Sequence, residues 1–343
     1  MGTENDLFAD AARQLLADQC TPQVVRAIEN GDSAAATALW AHLEAAGFAD
    51  ALVSEADGGS GLGLAQVFGV LEQAGSHALP LPLAETMLAR ALLAQAGVPA
   101  PQGALVLAEG EALADGRIST VLRGGAVATH ALVHHAGSWR VLAVADAERT
   151  GHAFVMDCAA QWSASQWQAA AAVNVALPQG LDVRTLQAVL VAAQMAGALN
   201  AAFKRTLEYA NERVQFGRPI GKFQAIQHQL AVMSEHVFAA RMAAQLGCAS
   251  GTAFPDRLRA ATAKARCSEA ALAVAETAHA IHGAIGFTEE FDLQLLTRRL
   301  HAWRQAAGSE SYWYGVAGDA LLTHGGMTLD VVRQITDVEP VAA

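Results

Sequence analysis

Charge is scarce in this 343-residue chain: Asp, Glu, Lys and Arg make up 16% of it, against about 25% in an ordinary globular protein. A surface so thinly charged is expected to be covered in part by another subunit. Basic residues are the scarcer sign, 22 against 33 acidic, for a net charge of −11 at pH 7. No basic stripe of the kind a phosphate backbone requires is present, which excludes a nucleic-acid binder. The four cysteines, Cys20, Cys158, Cys248 and Cys267, stand far apart without a C-x-x-C pair. That excludes a zinc ribbon or a disulfide framework, and no metal site is expected. The opening MGTEND is acidic and lacks the basic-then-apolar build of a secretory signal, so a cytoplasmic protein is expected. Disorder is excluded by the 53% apolar content.

What is present divides into three textures. Residues 5–17, 33–46, 64–75 and 83–97 carry apolar positions at three- and four-residue spacing and predict helices. Asp32-Ser33 suits an N-cap, and Gly47, Gly75 and Gly97 stand where helices end. From 104 to 177 the runs are short: 104–107, 118–122, 126–134, 139–144, 153–156 and 171–176 predict strands of a small antiparallel domain. Beyond 181 the chain is helical again, with long segments at 182–211, 223–247 and 254–282 suited to a bundle. The uncharged run 185–203 is long enough to span a bilayer. It is mostly alanine, carries Gln187, Gln194 and Asn200, and runs into Lys204 and Arg205. It therefore reads as a buried helix, with no membrane span. The expected domains are 1–102 (helical), 103–180 (small β) and 181–343 (helical bundle).

The densest motif is YANERVQFGRPIGKFQAIQHQ, from Tyr209 to Gln229. Arg213 and Arg218 flank an aromatic at a helix junction, an arrangement able to hold a phosphate by bidentate contact. This string resembles the acyl-CoA dehydrogenase family's Y-A-x-x-R-x-x-F-G-x-P-I-x-x-F-Q. HGAIGFTEEFD, starting at His282, resembles the family's H-G-G-I-G-F-T-x-E. EADGGSGLG, starting at Glu55, resembles its E-x-x-G-G-x-G-L-G loop. Gly59, Gly61 and Gly63 are therefore a loop between helices, not a dinucleotide loop, since no strand precedes them.

The resemblance covers nearly the whole chain and implies an N-terminal helical domain, a middle β domain and a C-terminal four-helix bundle, mainly α overall. It implies FAD, acyl-CoA as substrate, an oligomer that completes the flavin site, and an electron-transfer flavoprotein as acceptor. Carried over, Arg213 meets the pyrophosphate, with Gln215 and Phe216 beside it and Gln224 near the adenosine end. Gly283 and Gly286 allow close backbone approach, and Gly308-Ser309 stands for the family's G-T pair. Two departures matter. The T-E-P-x-x-G-S-D loop is reduced to Ala108-Glu109, and no W-I-S strand appears. The usual glutamate base falls on Ala307 when the R-D/R run is aligned on Arg298-Arg299, and the minority position falls at Gln187.

The leading expectation is thus an FAD-sharing subunit, of a homo- or hetero-oligomer with a related subunit, that lacks the usual base. Alternatives are a homo-oligomeric dehydrogenase using Glu310, or a scaffold or acyl-CoA-binding paralogue that has lost flavin. His130, His134 and His135 have no evident acidic partner in the sequence and read as surface or core histidines.

Overall fold

The computed structural model describes residues 3–337, with side-chain environments from Leu7 onward; the first two residues of the acidic opening lie outside that range. Five helices come first: α1 (Thr3–Gln19), α2 (Pro22–Glu29), α3 (Ser33–Ala45), α4 (Leu64–Ser76) and α5 (Leu83–Gln95). Asp32 caps α3 as its sequence predicts, its carboxylate accepting from the Ala35 N–H at 3.0 Å. The short α2 escapes the periodicity reading. It starts on Pro22 behind a Thr21 cap and buries only Val25 and Ile28.

Gly47 and Gly97 follow helix ends with φ of 75° and 69°. Gly75 does not end its helix, because α4 runs on to Ser76. It serves close approach instead: a Cβ there would lie 1.8 Å from the Gln194 carbonyl oxygen. Gly197 is its counterpart, with a Cβ position 1.8 Å from the Glu72 carbonyl oxygen.

The middle region holds β1 (Leu105–Glu109), β2 (Glu111–Ala112), β3 (Ile118–Leu122), β4 (His130–His135), β5 (Ser138–Ala143), β6 (Glu148–Gly151), β7 (Cys158–Trp162), α6 (Ala164–Ala169) and β8 (Ala172–Val173). They form two four-stranded sheets, ordered β1-β4-β5-β8 and β2-β3-β7-β6. Residues 153–156 are not a strand. Phe154 and Met156 are buried from a turn, so their apolar spacing reports packing and not pairing.

The expected all-antiparallel arrangement also fails at one place. β1 pairs parallel with β4, from Leu105↔His130 to Glu109↔His134. The chain visits the other sheet between these two strands, the crossover that parallel neighbours need. Strand alternation then divides β1 between two cores. Leu105 and Leu107 join the main core with the helices, while Val106 and Ala108 pack with Trp162 between the sheets.

The last region contains α7 (Val183–Glu212), a two-residue hairpin of β9 (Val214–Gln215) and β10 (Arg218–Pro219), then α8 (Gln224–Gly247), α9 (Arg257–His282), α10 (Leu293–Gln305), α11 (Glu310–Thr323) and α12 (Thr328–Thr336). α7 is long and apolar enough to cross a bilayer, but 78% of its apolar window is buried inside the protein. It is the central helix, packed on α4, α8, α9 and α10.

Candidate functional site

Site residues collect at the two ends of α7. At its C-terminus Arg213 takes extended backbone and ends the helix. The turn between β9 and β10 holds Phe216 and Gly217 at φ of 51° and 79°, left-handed values suited to a two-residue hairpin. Phe216 is thereby thrust outward and is 91% exposed. Arg218 stacks over the Phe223 ring at 4.2 Å, and Phe216 meets the same ring edge-on at 6.1 Å. Neither Arg213 nor Arg218 has an acidic partner among the described residues, and Gln215 and Gln224 are also exposed. The result is a solvent-facing cluster of two free guanidinium groups, two amides and an aromatic plate. Such a set can hold a phosphate-bearing planar ligand.

The loop after α9 lies at the same end. Tyr209 donates to the His282 carbonyl at 3.3 Å and stacks on its imidazole at 4.4 Å. Ile281, Ile220 and Leu230 form a shared apolar cluster under the hairpin. Gly283 has φ of 64° and nothing within 4 Å of a Cβ position, so its backbone is open to a ligand. Gly286 is buried instead, and a Cβ there would lie 3.0 Å from His282 Cβ and 3.2 Å from His279 Nδ1, which makes it a packing position.

At the N-terminal end of α7 the β domain and the bundle enclose a cleft of about 900 Å³. Its walls include Glu109, Glu111, His134, Trp139, Asp182, Arg184, Gln187, Ala307, Gly308 and Tyr312. Both positions that resemblance assigns to the base, Gln187 and Ala307, therefore face one space, and neither carries an acid. The Gln187 amide donates to the Leu107 carbonyl at 2.7 Å, which ties α7 to β1. The Arg184 guanidinium lies 4.7 Å from the Tyr312 ring.

Ala307 and Gly308 have φ of 55° and 97°. Their carbonyls are engaged: Ala307 O accepts from Trp313 Nε1 at 2.8 Å, and Gly308 O from Lys264 Nζ at 2.9 Å. Their N–H groups have no partner among the described residues, which leaves two donors on the cleft wall. Ser309 follows as the cap of α11, with its side chain not engaged in capping.

Lys264 is fully buried and divides its three donors among Ser268 Oγ, Arg304 O and Gly308 O at 2.8, 3.0 and 2.9 Å. It thus sets the turn that carries Ala307. Burial pulls its ammonium down to about 7, against opposing pulls from Cys267 and Glu310. Between that value and the ordinary lysine range the unfolded chain holds one more proton than the folded one. Stability from this group therefore rises with pH across the window, with a slope of up to about 1.4 kcal/mol per pH unit. Urea unfolding of Lys264→Met from pH 7 to 9.5 is expected to lack that component; equal slopes for variant and parent would refute it.

Glu310 is not on the cleft wall. It pairs with Arg304 as the first residue of α11. Burial pushes its carboxyl up, but the Arg304 hydrogen bond and the nearby charges of Arg304 and Lys264 outweigh this and hold it below the usual range. The histidine reading needs correction. His134 does have an acidic partner, with its Nδ1 3.0 Å from both carboxylate oxygens of Glu109. The parallel β1–β4 register creates the pair, and nothing in the local sequence announces it. His135 Nδ1 instead meets the Gly110 carbonyl at 2.8 Å. No group of three or more potential metal ligands occurs among the described residues.

The family model for the acyl-CoA dehydrogenase N-terminal domain matches residues 2–105, and that for the C-terminal domain matches 185–322. Acyl-CoA dehydrogenase IpdE2 of Mycolicibacterium smegmatis is 31% identical over 314 residues, 90% of this chain and 96% of the relative. Among solved structures, a variant of the Tcur3481–Tcur3483 steroid ACAD superposes with a TM-score of 0.78 at 26% identity, over 93% of this chain and 98% of that one. The ChsE4–ChsE5 complex from Mycobacterium tuberculosis has a chain that shares the fold, with a TM-score of 0.79 at 21% identity, over 95% and 99% of the two chains.

Proposed function

The chain belongs to the acyl-CoA dehydrogenase family, and from that premise we propose that it is an FAD-sharing subunit of an oligomer that dehydrogenates an acyl-CoA thioester at Cα–Cβ. The observation that carries this reading is the distance along α7. Gln187 on the cleft and Arg213 on the hairpin are separated by about 39 Å at 1.5 Å rise per residue, more than one dinucleotide can bridge. The hairpin of one chain therefore serves the cleft of another, a related subunit or a second copy.

The residues fit the group. Arg213 and Arg218 supply unpaired cations for a pyrophosphate, Phe216 a free aromatic face, and Gly283 an open backbone. Gln215 and Gln224 add amide donors and acceptors beside them. A flavin held there would supply the acceptor for the acyl β-hydride. The N–H groups of Ala307 and Gly308 are available to a thioester oxygen, where charge develops as the α-proton leaves.

A shared arrangement is consistent with the missing acid at 307, since the partner subunit can bring its own. The ChsE4–ChsE5 complex and the Tcur3481–Tcur3483 steroid ACAD support pairing as a use of this fold, and bulky acyl groups such as steroid side chains as substrates. An electron-transfer flavoprotein is the acceptor the family implies, in the cytoplasm. A scaffold that had lost flavin would have no use for two unpaired arginines beside an exposed phenylalanine.

The test is Arg213→Ala. Loss of a charge-assisted contact worth about 1.5–3 kcal/mol is expected to weaken flavin binding roughly 10- to 100-fold, read from the visible absorbance of the purified oligomer. The melting temperature of the apoprotein should not move, because Arg213 is exposed. Unchanged flavin content would remove Arg213 from the site.

A further inference from the structure

We infer that the chain's own cleft carries a proton acceptor, His134 oriented by Glu109, that takes the α-proton of a bound acyl thioester. The inference rests on reading this cleft as the acyl-CoA site.

Both residues line the same cleft as the acid-free positions Gln187 and Ala307. Glu109 holds His134 Nδ1 with both oxygens at 3.0 Å. A carboxylate can only accept, so the proton of the neutral imidazole sits on Nδ1, and the Nε2 lone pair is left available. No described group bonds to Nε2. The ring is further fixed by Trp139, whose centroid lies 4.7 Å away.

The backbone that carries both side chains is fixed: the Thr120 hydroxyl donates to the Glu109 main-chain carbonyl at 2.6 Å, and the Gly110 N–H to the His134 main-chain carbonyl at 2.8 Å. Two strands in register thus hold an acid–imidazole pair with one basic nitrogen free, the arrangement by which a carboxylate orients a general base. The other cleft acids are less suited. Asp182 is occupied as the cap of α7 and by Arg257 at 3.2 Å. Glu111 is exposed, with no orienting partner among the described residues.

The step balances without an oxidant. The thioester Cα–H bond breaks, the proton goes to His134 Nε2, and the electron pair remains as the enolate, whose oxygen accepts from the Ala307 and Gly308 N–H groups. Glu109 stays a carboxylate and faces the imidazolium. In D₂O the enolate takes back a deuteron, so the α-position exchanges.

The experiment measures deuterium uptake by a panel of saturated acyl-CoAs, butanoyl to hexadecanoyl, in D₂O by mass spectrometry. It uses the full chain with any subunit that co-purifies. The parent protein is expected to exchange at least one of them. His134→Asn, which keeps a donor toward Glu109, should slow exchange by at least about 100-fold. Glu109→Gln should slow it about tenfold and shift the His134 ring proton toward Nε2 in ¹⁵N NMR, a signature that a merely structural role would not produce.

Exchange in His134→Asn within about twofold of the parent would overturn the proposal. So would no exchange by the parent across the panel. The two readings fail separately: retained flavin in Arg213→Ala sinks the sharing reading and leaves the proton acceptor standing, whereas parental exchange by His134→Asn sinks the proton acceptor and leaves the sharing reading standing.

Discussion

Replacing Arg123 with alanine is expected to cost about 3–5 kcal/mol of stability at neutral pH, the range for stranding one member of a buried ion pair. Glu85 is 1% exposed and has no other cation within ion-pairing distance among the described residues. Its Oε1 accepts from Arg123 Nε at 2.8 Å, with Nη2 at 2.7 Å completing the ion pair, and its Oε2 accepts from the Leu107 N–H at 3.1 Å. Arg123 also reaches the Gln194 side chain on α7 at 3.2 Å. This network joins α5, the end of β3 and α7. Through Leu107, whose carbonyl holds Gln187, it continues to the cleft wall.

Burial raises the Glu85 carboxyl above its ordinary range, with Arg123 and the Leu107 N–H opposing the rise. Between the unfolded and folded values the folded state holds the extra proton, so stability falls as pH rises through that window. Removing Arg123 removes the largest opposing charge and extends the window upward. The deficit in urea melts should therefore be largest at pH 7 and above, and shrink toward pH 5. A deficit below about 1 kcal/mol, or one that grows on acidification, would show that Glu85 does not depend on Arg123.

Gly75→Ala is expected to cost about 3 kcal/mol or more, against the normal sign for this change. In an exposed helix interior the same substitution gains up to about 1 kcal/mol. Here the new methyl would fall 1.8 Å from the Gln194 carbonyl oxygen, a backbone atom of α7 that no rotamer change can clear. Gly197 makes the reciprocal contact with Glu72 on α4, so the two helices touch backbone to backbone. The Ser76 hydroxyl donates across the same seam to the Gly197 carbonyl at 3.1 Å. Separating α4 from α7 would also disturb Glu72 on Arg241 and Gln194 on Arg123. Denaturant midpoints decide it: a variant as stable as the parent would mean that the helices can move apart at little cost.

Much of this architecture was legible in the chain itself. Long helices announce themselves by repetition, and the segments expected at 182–211, 223–247 and 254–282 agree with α7, α8 and α9 to within a few residues. The hairpin cluster was legible for a different reason. Arg213, Gln215, Phe216, Arg218 and Gln224 lie within one short stretch, so one turn suffices to bring them together. The short α2 is not legible because two turns of apolar spacing are no different from chance, and β6 because its four residues, ERTG, are exposed and carry no apolar pattern at all.

Alone, then, the sequence determined the helix–β–helix order, the family and the arginine-rich end of the site, all of which depend on local pattern. Tertiary closure alone decided the other end. Gln187, Ala307 and Glu109 come from three distant segments and meet only when the β domain closes on the bundle. Alternation along β1 and β4 encodes which face of each strand is buried, but not which strand lies beside it or in which direction. Glu109 faces His134 because those two strands run parallel in one register. That register is chosen by the packing of both sheets and α5 around them, which no single strand can specify.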